Sequence, residues 1–162
     1  MLIKIIGLGQ FLRGDDEVGL EIVRRWAAEN QAKFPAGQIE VEILESPGVN
    51  LLGAIAGLDA AVLVDAVQSG APAGTIHKLS ENDLAAFTDG SGSVHGWGAA
   101  ETLSLGRQLA AEDLPGLIIV IGVEGVQFSP GEGLSPAVRA AIPKAVSLIN
   151  KIVGELLQEC KE

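Results

Sequence analysis

The apolar run LIKII at residues 2–6 predicts a first strand, and the chain then turns to glycine in GLGQFLRGDDEVG. Val18, Ile22, Val23 and Trp26 recur at helical spacing and predict a helix from about 16 to 31. QIEVEILES alternates strictly, with Ile39, Val41 and Ile43 on one face and Glu40 and Glu42 on the other. A strand with one wet face belongs at a sheet edge. A short helix is predicted near 49–57, and the continuous apolar run AAVLVDAV then predicts a central strand covered on both sides. GTIHKL alternates again and predicts a second edge strand. Only SGAPAG separates it from the strand before, too short for a helical crossover, so it is expected to run antiparallel without having to pair with that strand.

Residues 80–98 are polar and rich in Gly and Ser (TDGSGSVHGWG), and predict a loop. A helix near 98–112 leads into LIIVIGV, a second buried central strand. The last helix carries one apolar stripe: Val138, Ile142, Ala145, Val146, Ile149, Ile152, Val153 and Leu156. No repeat or linker interrupts the pattern, so residues 1–162 read as a single α/β domain, a five-stranded mixed sheet between helical layers. Ligands of such sheets sit beyond the carboxyl ends of the parallel strands, where the strand order reverses.

Composition narrows the function. The chain is 48% hydrophobic but only 4% aromatic, so its core is built from Val, Ile, Leu and Ala. A formal charge of -10 argues against nucleic acid, whose binding rests on Lys and Arg neutralising phosphates, and against anionic membrane surfaces. Cys160 is the single cysteine, which excludes an internal disulfide and a CxxC metal site. MLIKIIGLGQ is too short an apolar run for a signal peptide, and no stretch approaches a bilayer span; the expected location is the cytoplasm, with no membrane partner.

The glycine loop is not a nucleotide loop. Gly7, Gly9 and Gly14 miss the GxGxxG spacing and no GK[ST] follows, so no organic cofactor is expected. It ends instead in three carboxylates, Asp15, Asp16 and Glu17. A carboxylate at a helix start acts as a cap, and one of the aspartates is expected to do so, which leaves the other to face the strand ends. Asp65 ends the run AVLVD and emerges at the carboxyl edge of a central strand, where it either holds a loop through backbone N–H groups or serves a site. His95 lies in SVHGWG, either as a solvated loop residue or on the same side of the sheet. Asp16, Asp65 and His95 together supply two oxygens and one imidazole, a donor set that suits zinc or nickel with positions left open for water or substrate. His77 on the presumed edge strand reads as a surface residue, Cys160 as an incidental thiol, and Glu124 as a weaker candidate at the same edge. Trp97, beside His95, either lines a groove or pins its loop.

These segments resemble the hydrogenase maturation endopeptidases, which trim the large subunit of nickel-iron hydrogenases. GLGQFLRGDDEVG is similar to the family's GxGNxxxxDDGxG, VLVDAV precedes GAPAGTIHKL, SVHGWGAAETL carries the histidine, and VIGVEGVQFSPGEGLSPAV resembles the family's end region. The resemblance implies a three-layer α/β/α sandwich, phosphorylase/hydrolase-like, whose five-stranded mixed sheet has one antiparallel edge strand. It implies an aspartic-type or metal-assisted peptidase in which Asp16, Asp65 and His95 are the metal-binding and catalytic residues. It implies as partner a large-subunit precursor that already carries nickel, with the nickel as recognition element and no other cofactor. A non-proteolytic nickel-binding accessory protein would use the same ligands and is the alternative. Gln10 and Glu17 depart from the family's usual Asn and Gly.

Overall fold

The computed structural model describes residues 1–45, 48, 50–88 and 98–159. Its strands are β1 (Ile3–Gly9), β2 (Ile39–Glu45), β3 (Ala60–Val67), β4 (Ile76–Ser80) and β5 (Leu117–Glu124). They form one sheet in the order β2-β1-β3-β5-β4, parallel except for β4, which runs antiparallel to β5. The two alternating segments are thus the two edges, and the short connection from β3 leads to an antiparallel strand that does not pair with β3.

The helices are α1 (Val18–Asn30), α2 (Asn50–Ile55), α3 (Glu81–Thr88), α4 (Ala99–Ala110) and α5 (Pro136–Glu159). On one face of the sheet α1 and α5 bury Trp26, Ile22, Val146 and Ile149 against Ile3, Ile5, Val62 and Ile121. On the other, α2, α3 and α4 bury Leu51, Leu84 and Leu103 against Ile6, Leu63 and Val120. Three layers result, because β1, β3 and β5 are apolar on both faces and need a helical layer on each. All eight residues of the predicted α5 stripe are buried. Among the described residues no helix is long and apolar enough to cross a membrane.

At the β2 edge the Lys4 ammonium lies 3.2 Å from both Glu40 and Glu42. Burial alone would lower its pKa, but bonds and charge from Glu42 and Glu40 outweigh this and hold it above the ordinary lysine value.

One predicted loop is partly a helix. Ser80 ends β4 and begins α3 with a reciprocal cap: its hydroxyl accepts the Asp83 N–H at 3.1 Å, and the Asp83 carboxylate accepts the Ser80 N–H at 3.0 Å. This S-x-x-D pair outweighs the polarity of the segment. Ser80→Ala is expected to cost about 1 kcal/mol, read by urea unfolding. The bonds from Ser80 also hold the Asp83 carboxyl below its ordinary value. Its contribution is therefore complete above the unfolded aspartate value and fades only as pH falls through the lower folded one, so the Ser80→Ala deficit should be constant through neutral pH.

Glycine fixes where α1 meets the sheet. A Cβ on Gly19 would strike the backbone oxygens of Val64 and Leu8. Only glycine lets the first turn of α1 press onto the ends of β1 and β3, and the segment just before that turn carries the acidic triplet.

Candidate functional site at the strand-order reversal

From β1 the chain passes through α1 to β2 on one side; from β3 it passes toward β4 and β5 on the other. The reversal lies between β1 and β3, so the crevice beyond their carboxyl ends is the expected site. Both predicted aspartates flank it. Asp16 sits in a 3-10 turn, Gly14–Glu17, that joins β1 to α1, and it is fully buried. Asp65 lies one residue past the last β1–β3 pair, Gly7 with Val64, and is itself paired with Gly122 of β5. It is half-buried, and its Oδ1 accepts the Ala66 N–H at 2.8 Å. The remaining predicted ligand, His95, lies outside the described residues, as do Trp97 and Cys160.

Asp15 corrects an expectation. Neither the 3-10 turn nor α1 is capped by the side chain of its N-cap residue. Asp15 turns instead to the segment that follows β5. Its carboxylate accepts the N–H groups of Val126 at 2.8 Å, Gln127 at 3.1 Å and Ser135 at 2.7 Å, together with the Ser135 hydroxyl at 2.9 Å. Ser135 precedes α5, and its carbonyl accepts the Arg139 N–H. Asp15 thus places its charge at the positive end of a distant helix rather than of its own. Backbone bonds reinforce the seam: the Asp15 N–H to the Gln127 carbonyl at 2.7 Å, Gly14 to Glu132 at 3.0 Å, and Gly131 to Leu12 at 2.7 Å.

Two further acids of this edge also accept backbone N–H groups. Glu17 Oε2 accepts the Leu12 N–H at 3.2 Å, and Glu45 Oε1 accepts the Phe11 N–H at 3.1 Å. Glu17, one of the two departures noted in the sequence, therefore braces the loop. Gln10, the other, accepts the Arg13 guanidinium at 2.8 Å.

Glu124, the weaker candidate at this edge, holds a loop. It is buried at the end of β5 and accepts the Ser69 N–H at 2.6 Å, the Ala71 N–H at 3.2 Å, and the Ser69 hydroxyl. It so anchors the segment that leaves β3. His77 is not a surface residue: only 19% of its side chain is exposed. Its ring meets Phe87 edge-on at 4.7 Å, and its Nε2 lies 3.9 Å from Glu124 Oε1. The sequence holds no local signal for this, since the partners come from two other elements, α3 and β5. Glu124→Ala strands two backbone N–H groups and is expected to cost about 2–4 kcal/mol in urea unfolding, with Glu124→Gln at the lower end.

Comparison with known proteins places the chain as a whole. Residues 27–152 match the model of a family described as hydrogenase maturation protease; the match includes Asp65 but begins after Asp16. The chain is 32% identical over 153 residues to the hydrogenase 2 maturation protease of Escherichia coli strain K12, an alignment covering 92% of this chain and 88% of that protein. Among solved structures it is similar to the hydrogenase maturating endopeptidase HybD from E. coli, with a TM-score of 0.78 and 28% identity over 96% of this chain and 93% of that one. It is also similar to the [NiFe] hydrogenase maturation protease HybD from Thermococcus kodakarensis, with a TM-score of 0.73 and 25% identity over 94% and 99% of the two chains.

Proposed function

Since the chain belongs to the hydrogenase maturation protease family, we propose that it is an endopeptidase that removes the C-terminal extension of a nickel-iron hydrogenase large-subunit precursor once nickel has been inserted. The observation that carries this reading is the placement of Asp16 and Asp65 at the two sides of the strand-order reversal, at the carboxyl ends of the parallel strands. Asp15, Glu17, Glu45 and Glu124 brace the loops around that place.

In this reading the nickel arrives as part of the substrate. Asp16, Asp65 and His95 grip it, an oxygen and imidazole set suited to that ion. Two carboxylates brought to one crevice repel each other, and a cation relieves that repulsion, so a metal-bearing precursor binds better than an empty one. Binding sets the scissile bond at the crevice. Water adds to the carbonyl carbon, the C–N bond breaks, and the leaving amine takes a proton.

Product masses test this. The protein is incubated with nickel-loaded and nickel-free precursor. One C-terminal cut, in the nickel-loaded sample only, supports the reading. No cut with any cognate precursor, together with tight nickel binding by the free protein, would move it to a non-proteolytic nickel carrier.

A further inference from the structure

Among the described residues six large apolar side chains are exposed: Met1, Phe11, Leu12, Leu109, Leu117 and Val126. Met1 and Leu117 lie at the amino ends of β1 and β5, and Leu109 near the end of α4. The other three share the carboxyl edge. Phe11 and Leu12 are on the loop after β1, Val126 is on the loop after β5, and the Asp15 seam joins these two loops into one platform.

Leu12 is the most exposed of the three at 71%, with Val126 at 62% and Phe11 at 37%. It is also the one non-glycine residue, among those described, with a left-handed backbone, at φ 58°. Leucine has no side-chain oxygen to bond locally in that conformation, and glycine or asparagine would adopt it at lower cost. The loop nonetheless holds it there from both sides: Glu17 takes the Leu12 N–H, and Gly131 donates to its carbonyl. The Arg24 guanidinium lies 5.3 Å from the Phe11 ring and covers one side of it. A sterically unfavourable leucine, braced by two bonds so that it stands in solvent four residues before Asp16, adds nothing to the core. Such strain is kept where a ligand uses it.

We propose that Leu12, with Phe11 on the same loop and Val126 on the loop bonded to it, is the docking anchor for an extended apolar segment of the protein substrate next to the bond that is cut. The proposal rests on the protease reading above and deepens it. The 3-10 turn that carries Asp16 continues from the Leu12 loop and is bonded to the loop after β5, so the platform adjoins the cleavage site of that reading. Burial of a leucine on binding is worth about tenfold or more in affinity.

The test is steady-state cleavage of the nickel-loaded precursor by wild type, Leu12→Asn, Leu12→Met and Val126→Ser. Asparagine suits the left-handed backbone, so Leu12→Asn removes the apolar side chain while relaxing the loop. Leu12→Asn is expected to unfold in urea no earlier than wild type, to raise KM about tenfold, and to leave kcat within about twofold. Leu12→Met should restore a near-normal KM, and Val126→Ser should raise it several-fold. Unchanged KM in Leu12→Asn, beside an active wild type, would overturn the proposal while leaving the protease reading intact. So would sedimentation showing that the free protein self-associates through Leu12, since the occupant would then be a second copy. Absence of cleavage by wild type would overturn both.

Discussion

Asp15→Ala is expected to cost about 3–5 kcal/mol of stability, because three backbone N–H groups and one hydroxyl lose their shared acceptor in a buried place. For a domain of this size the midpoint of thermal unfolding should fall by about 10 °C. The loss has a defined location: the loop after β5 and the start of α5 detach from the 3-10 turn that carries Asp16. Asp15→Asn keeps the shape but removes the charge beside the α5 terminus, and should lose less. Both variants are read by urea and heat. Equal stability of Asp15→Ala and wild type would mean that the seam is not what holds these loops.

Asp16→Asn is expected to do the opposite. It replaces a buried carboxylate by a group of the same size without net charge, so the unfolding midpoint should stay near that of wild type. Cleavage of nickel-loaded precursor should fall at least about a hundredfold. These outcomes together would separate two adjacent aspartates into one that holds the fold and one that acts on substrate. An Asp16→Asn variant that cuts at a near-normal rate would place the chemistry elsewhere.

The sheet was legible in the sequence because its information is local. Alternation in QIEVEILES and GTIHKL marked both edges, and the continuous runs of β3 and β5 marked the centre. The α5 stripe was readable residue by residue for the same reason. Helix α3 was missed because the glycines and serines that follow it outweighed the Ser80–Asp83 cap, a short-range signal that was present. Asp65 at the strand-order reversal was also readable, since a carboxylate ending an apolar run is visible without coordinates, and Asp16 was readable as one of the carboxylates that end the glycine loop. What Asp15 does was not. Its partners lie 111 to 120 residues away, and nothing near it distinguishes it from Asp16. Glu124 and His77 show the same limit: each gains its role from a segment that only the completed sheet brings alongside.

If Asp16 and Asp65 recognise nickel carried by the precursor, the affinity of nickel-loaded and nickel-free precursor should differ between the wild type and the Asp16→Asn, Asp65→Asn double variant, each first shown to be folded. Nickel is expected to strengthen binding to wild type by about tenfold or more, and this preference is expected to disappear in the double variant. Equal binding of both precursors to wild type, or a nickel preference that survives in the double variant, would contradict this recognition.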